Sequence, residues 1–277
     1  NNAGATAALI VTEEDHTATA LQIDTGATVG SVYNSGRLVA SAGGEAASAV
    51  AIRDLSGTLT DIQNIGFIQA NTAPILDENG EADPITGEAV AIDVRANTTG
   101  VTLTQLVQDV PDDEPAPIGG REPVIRGDIL LGSGSDMVDI RDGFVFGDID
   151  FGGGADSLQI SGGAEVHGAL SGAGGLLTIN VADGLLDAQQ TGRADIAELN
   201  VGADGDLIFT VDPDAGTAGG FNVTGTASFA DGAGIGVRFE SLLDQAERYT
   251  VIQAGDLQLG DLDQTSLEEN SPFLFVV

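Results

Sequence analysis

Short apolar segments recur along the chain with a period of two, separated by glycine, asparagine or aspartate. In "GDILLGSGSDMVDI" (Gly127 to Ile140) the apolar positions are Ile129/Leu131 and Val138/Ile140. This alternation predicts strands with one inward face, because successive side chains leave a strand on opposite sides. The pattern returns 20 residues later in "GDIDFGGGADSLQI" (Gly147 to Ile160). Gly127, Ile129, Gly132, Gly134, Asp136 and Ile140 become Gly147, Ile149, Gly152, Gly154, Asp156 and Ile160. A weaker third copy puts Leu170 in the place of Ile149, Leu177 and Ile179 in the places of Leu158 and Ile160, and Gly175 where the aspartate stood.

A second repeat occupies the N-terminal part at a spacing of 30: "NSGRLVA" (Asn34 to Ala40) returns as "NIGFIQA" (Asn64 to Ala70). "ALQID" (Ala20 to Asp24) precedes the first much as "VAIRD" (Val50 to Asp54) precedes the second, and "AVAID" (Ala89 to Asp93) arrives about ten residues late. The delay matches "TAPILDENGEADPITG" (Thr72 to Gly87), a polar, proline-bearing segment that fits a loop pushed out from a corner. "DVPDDEPAPIGGREP" (Asp109 to Pro123) is its counterpart. Only "ESLLDQAERY" (Glu240 to Tyr249) resembles a short helix or turn.

Repeats of this length, built from short strands with no helical half, predict an all-β right-handed parallel β-helix. Each turn would cover the apolar interior of the next, at about 4.8 Å per turn. Residues 1–193 form the expected stem, with insertions near 72–87 and 109–123, and residues 194–277 a C-terminal β-rich cap. In that cap Phe221, Phe229, Phe239, Tyr249, Phe273 and Phe275 are expected in the core. Asn34 and Asn64, at matching corners, are expected to stack as a hydrogen-bonded pair.

Composition sharpens this. With 43 Asp plus Glu against 9 Lys plus Arg, the net charge is −34. Nucleic-acid binding is excluded for want of a basic footprint, and an anionic membrane surface is disfavoured. Hydrophobic residues at 42% argue against disorder. The absence of cysteine removes disulfides and thiolate metal sites. No apolar run reaches the roughly 20 residues of a membrane helix, so the chain is not expected to span a membrane. It opens at "NNAGATAALI" without an initiator methionine and stops at "SPFLFVV", as an excised fragment would.

The repeated corners pose the chemical question. "LGSGSDMVD" and "FGGGADSLQ" match the calcium-binding nonapeptide G-G-x-G-x-D-x-U-x except at its first position, which makes Asp136 and Asp156 calcium candidates. Calcium needs six to eight oxygens, which such motifs supply by repeating every nine residues; a period of 20 favours glycine-assisted corners instead. If the copies stack, Asp136 lies over Asp156 and Asp128 over Asp148, spaced for water or a cation between them. Catalysis finds little support. Ser133 and Ser135 lack a G-x-S-x-G elbow, and His16 and His167 are isolated and expected to face solvent. Arg37, Arg53, Arg95, Arg121 and Arg126 fit surface residues moderating the acidic field. No catalytic or cofactor-binding residue is nominated, and a carbohydrate-active β-helix enzyme is the weaker alternative.

The C-terminal third reads as longer strands. "LIFTV" (Leu207 to Val211), a hairpin "VTGTASFADGAGIGV" (Val223 to Val237) and "ERYTVIQAG" (Glu247 to Gly255) resemble, in order, the C-terminal part of an autotransporter passenger, including its pertactin-like autochaperone region. Upstream, "GDIDFGGGADSLQISGGAEVHGALSG" and "VYNSGRLVA" resemble stem turns of that family. The likeness is loose over the whole chain and most specific from about Ala194 to Gly260. It implies type V secretion: passage through the periplasm and an outer-membrane β-barrel translocator, then display at the bacterial cell surface or release. It further implies that the C-terminal stem folds first as a template, with no enzymatic activity of its own. Adhesion to a host or neighbouring-cell surface ligand is a further expectation, and a calcium-binding adhesin module the alternative. The absent barrel and effector domain would lie outside this sequence.

Overall fold

The computed structural model describes residues 5–10, 16–76, 78–82, 84–107, 122–242 and 247–262. The chain is all β. Among the described residues there is no α-helix, and the single helical turn is a 3-10 turn at Ala173–Gly175. Nearly all strand pairing is parallel and joins segments one repeat apart, so the chain builds three ladders that it visits in turn.

The first ladder stacks Ser31–Asn34, Asp61–Asn64, Thr102–Gln105, Met137–Ile140 and Ser157–Ile160. It continues through parts of Thr178–Ala188, Glu198–Asp212, Gly220–Phe229 and Ile252–Leu259. One column of this ladder therefore reads Asn34, Asn64, Gln105, Ile140, Ile160, Val181, Val201, Phe229, Leu259. The second ladder runs from Ala5–Ile10 through Arg37–Gly43 and Phe67–Ala73 to Gly234–Phe239. The third stacks Thr17–Ile23, Ser48–Asp54, Ala89–Asp93, Asp128–Leu130, Ile149–Asp150 and Leu170–Ser171, and resumes at Arg193–Ile196.

The alternation explains the core. Every second residue points inward, and those residues stack as columns of branched aliphatics: Leu38, Ile68, Ile125, Val145, Val166, Leu186 and Leu207 on the second ladder, Ile52, Ile92, Ile129, Ile149 and Leu170 on the third. All are buried in one continuous cluster. Each such side chain contributes about 1.5–3 kcal/mol through removal from water. Glycine makes the corners for a steric reason. A Cβ on Gly132 would strike the Asn97 carbonyl, and one on Gly152, whose φ is 63°, would strike the Gly132 carbonyl.

Several expectations are corrected. The 20-residue register holds at Ile129/Ile149, Val138/Leu158 and Ile140/Ile160, but then slips. Leu158 and Ile160 stack on Ile179 and Val181, rather than on Leu177 and Ile179. The extra residue enters at the corner after Ile160, where Gly162 and Gly163, with φ of 64° and 76°, stand in place of the single Gly143, so that Phe144 already pairs with Glu165 at a spacing of 21. The N-terminal repeat also shifts on the third ladder, where Leu21 faces Ile52 at a spacing of 31. The expected hairpin at Val223 to Val237 does not form. Gly220–Phe229 pairs in parallel with Glu198–Asp212 and Ile252–Leu259, and Gly234–Phe239 pairs in parallel with Glu198–Asp212. Asp231-Gly232 is therefore a corner between ladders, and the C-terminal strands are further turns. The one antiparallel strand pair among the described residues is Val211/Ala218 and Asp212/Thr217.

Of the expected cap aromatics, Phe221 and Phe229 are buried, with Phe209 edge-on to Phe221 at 5.6 Å. Phe239 is exposed and Tyr249 only half-buried. Phe273 and Phe275 lie outside the described residues, as do most of the 109–123 insertion, including Arg121, and the middle of the Glu240 to Tyr249 segment. The 72–87 insertion leaves from the corner after Phe67–Ala73, as expected, with a bridge between Leu76 and Ala82.

Candidate functional site

Three polar sites stand out against the aliphatic interior. The first is a buried amide column. Asn34 Nδ2 donates to Asn64 Oδ1 at 2.8 Å, Asn64 Nδ2 donates to Gln105 Oε1 at 2.8 Å, and Gln105 Nε2 closes the column on the Asp142 and Phe144 carbonyls at 3.1 and 3.2 Å. Asn34 and Asn64 also hold the Gly36 and Gly66 N–H groups of their own corners. The stacking expected of the two asparagines is present. Gln105 extends it from a turn that lacks the Asn-x-Gly signature, so only the register reveals it.

The second site is the pair of glycine/aspartate corners. Asp136 and Asp156 stack on neighbouring turns, each about 2% exposed. Asp136 Oδ1 accepts the Val101 N–H at 2.6 Å and Asp156 Oδ1 accepts the Asp136 N–H at 2.7 Å, so each carboxylate ties its corner to the preceding turn. Neither Oδ2 atom has a hydrogen-bond partner. Burial, reinforced by the neighbouring Asp156 carboxylate, pushes the Asp136 carboxyl up to about 6 despite the Val101 N–H that favours the anion. Burial also raises Asp156. These aspartates face inward, whereas Asp128 and Asp148 sit nearer solvent. Asp128 Oδ1 accepts the Asp148 N–H at 2.9 Å, and Asp148 Oδ1 accepts the Ala169 N–H at 2.8 Å. Among the described residues, no group of three or more His, Cys, Asp or Glu side chains is arranged to hold a metal ion.

The third site lies on the outer face of the second ladder and had no counterpart in the repeats. Asp187 is 0% exposed although it points outward, because other side chains cover it. Arg238 Nη1 and Nη2 donate to its two oxygens at 2.8 and 2.7 Å, Gln189 Nε2 donates at 2.9 Å, and His167 Nδ1 lies 3.1 Å away. His167 Nε2 meets Glu165 at 3.0 Å, and its ring stacks on Phe146 at 5.0 Å, whose ring lies under the Arg126 guanidinium. Burial would raise Asp187, but the donors from His167, Arg238 and Gln189 outweigh it and pull the carboxyl down to about 2. The bond to Asp187 raises His167 against the opposing effect of its own burial, with Glu165 adding to the rise. His167 is therefore not a solvent-facing histidine. Asp187 and Arg238 come from single-copy segments 51 residues apart, which repeat analysis cannot connect.

The remaining expected residues have structural roles. Ser135 Oγ accepts the Ala155 N–H at 3.3 Å, and the Ser133 N–H donates to the Asn97 carbonyl. Arg53 and Arg95 both reach Asp93, at 3.6 and 2.9 Å. Arg37 lies over the Phe67 ring at 4.1 Å. His16 is exposed and its carbonyl accepts the Ser48 N–H. None of these brings a nucleophile together with a base.

One opening breaks the third ladder. Between Leu170–Ser171 and Arg193–Ile196 lies a cleft of about 630 Å³, lined in part by Gly172, Gly174, Gly175, Gln189, Gln190 and Arg193. The apolar side chains of Leu170, Leu177, Ala194 and Ile196 complete its lining.

No family model matches the chain, and no curated protein or solved structure matches it.

Proposed function

We propose that the chain is the non-enzymatic stem of an exported autotransporter passenger. Its three ladders would close into a right-handed parallel β-helix whose C-terminal turns template the folding of the rest. The observation that carries this reading is the change in strand length along the ladders. The central turns use strands such as Asp128–Leu130 and Ile149–Asp150, whereas the C-terminal turns use Thr178–Ala188, Glu198–Asp212 and Gly220–Phe229, which bend around corners and serve two ladders each. Long strands with local pairing and the Phe209/Phe221/Phe229 core make the C-terminal turns the natural nucleus, because later turns then add to an edge already formed. The lack of cysteine suits a chain threaded unfolded through a narrow pore, and the strong acidity keeps an emerging chain soluble. Under this reading the chain is displayed at the cell surface or released, and its partner is an outer-membrane β-barrel.

The test is refolding yield. A chain ending at Asp212 should refold poorly, whereas one lacking residues 71–87 should refold like the full chain; equal yields from the two would remove the template role.

A second reading, a calcium-binding adhesin module, draws on the unpartnered Oδ2 atoms of Asp136 and Asp156. Calorimetric titration of the full chain and of an Asp136→Ala/Asp156→Ala variant decides it, with calcium heat confined to the former in its favour.

A further inference from the structure

We propose that the cleft beside Arg193–Ile196 binds a neutral saccharide, a short run of hexopyranose units, and does not cleave it. The inference does not rest on the secretion reading. The turns carrying Leu170–Ser171 and Arg193–Ile196 are consecutive, and backbone bonds join them on either side of the cleft: the Gln189 N–H to the Gly168 carbonyl at 3.1 Å, and the Ala197 N–H to the Leu177 carbonyl at 2.8 Å. Between those ties the chain leaves the strand path twice, at Gly172 to Gly175 on one turn and at Gln189 to Gly192 on the next. The cleft is the space between these two excursions, and both line it. Gln190 fixes the second excursion from both sides, accepting the Leu170 N–H at 3.4 Å and donating to the Gly220 carbonyl at 3.3 Å. The cleft is thus formed before any ligand arrives, as small-molecule sites usually are.

The lining selects the ligand. At the base Leu170, Leu177 and Ile196 are each no more than 3% exposed, so the cleft ends on the aliphatic core. Above them stand groups with hydrogen-bonding capacity to spare. Among the described residues, Gln189 spends its Nε2 on Asp187 at 2.9 Å and keeps Oε1, while Asp195 spends Oδ1 on Asn222 at 2.9 Å and keeps Oδ2. Thr191 presents an exposed hydroxyl, and Arg193 is exposed and makes no ion pair among the described residues. An apolar base under a rim of donors and acceptors matches a sugar ring, whose C–H face is apolar and whose hydroxyls each donate and accept. Charge argues against ionic ligands. Arg193 and Asp195 cancel within the cleft, and the −34 of the whole chain repels an anion. Asp195 is the one carboxylate in the lining, so the paired acids of a glycosidase are missing and the cleft binds without cleaving.

Saturation-transfer NMR on the full chain tests this with neutral probes, cellotetraose, laminaritetraose, maltotetraose and mannotetraose, and with tetragalacturonate as the charged comparison. At least one neutral probe should bind the wild type with a dissociation constant of about 1 mM or tighter. Arg193→Ala/Asp195→Ala, which leaves the net charge unchanged, should bind that probe about tenfold more weakly, and Thr191→Val, which removes one hydroxyl from an exposed position, about threefold more weakly. Arg37→Ala/Asp61→Ala, a remote charge-neutral pair of exposed residues, should bind like the wild type. The proposal is overturned if no neutral probe binds, if both cleft variants bind like the wild type, if the bound probe is hydrolysed, or if tetragalacturonate binds more tightly than every neutral probe.

Discussion

Two buried carboxylate sites, Asp187 and Asp136, opposite in charge behaviour, show what a stacked β structure does with an acid it cannot expose. At Asp187 the carboxylate collects an arginine fork, a histidine and a glutamine, and is held down to about 2. At Asp136 it collects one backbone N–H at 2.6 Å and a second carboxylate on the next turn, and is pushed up to about 6. Burial is nearly the same, so the partners decide. The single-copy site found cations for its acid, whereas the repeated site placed acid on acid, because repetition copies a residue together with its charge.

The largest effect should come from stripping the Asp187 site. Arg238→Ala leaves a fully buried carboxylate without its bidentate partner, a change of the kind that costs about 3–5 kcal/mol. Urea unfolding at pH 7 measures it. A loss below about 1 kcal/mol would erase the contrast between the sites.

Asp136→Asn should act in the other direction. A carboxyl whose folded value lies above its ordinary 3.8 binds its proton more tightly when folded, so its contribution to stability declines as pH rises from about 4 to about 6. The asparagine can still accept the Val101 N–H and carries no charge. It should raise stability at pH 7.5 by on the order of 1–2 kcal/mol and flatten that part of the curve. Asp187 has the reverse dependence, with stability lost as pH falls from about 4 towards 2. The wild type should therefore be most stable near pH 4, in contrast to the usual acid denaturation of carboxylate-rich chains, and thermal melts across pH 2–8 display both limbs.

His167→Gln should give the smallest change and sharpen the role of the imidazolium. Its folded value is raised, so its contribution is complete below about 6.5 and disappears as pH rises through that higher value. A loss of about 1 kcal/mol at pH 5.5 that vanishes by pH 9 is expected; a loss independent of pH would assign the residue to packing on Phe146 alone.

Much of the stacking was legible in the residues, and the failures have identifiable causes. Ile129 over Ile149 and Asn34 over Asn64 were readable because both the inward aliphatic and the corner residue repeat. The register beyond Ile160 was not, since one extra glycine in the Gly162-Gly163 corner lengthens the turn from 20 to 21 residues without disturbing the apolar alternation. Asp231-Gly232 carries the signature of a hairpin turn, yet Gly234–Phe239 finds a better partner in the edge of Glu198–Asp212. Calcium-like spacing at Asp136 and Asp156 hid the fact that both side chains point inward and spend one oxygen each on a backbone N–H. Gln105, Asp187 and Arg238 carry no repeated signal, and only register or chain-distant pairing exposes them.

The turn-on-turn register is the claim on which all of this rests, and cross-linking measures it directly in a chain with no cysteine of its own. Ser157 and Thr178 are in-register neighbours on the outer face of the first ladder, within the Cα separation of roughly 4.4–6.8 Å that a disulfide spans. Ser157→Cys/Thr178→Cys should oxidise rapidly and completely under mild conditions while Ser157→Cys/Leu176→Cys, two residues out of register, stays reduced. The reverse preference would place Leu177 on Leu158, as the sequence reading expected, and contradict the observed register of Leu158 on Ile179.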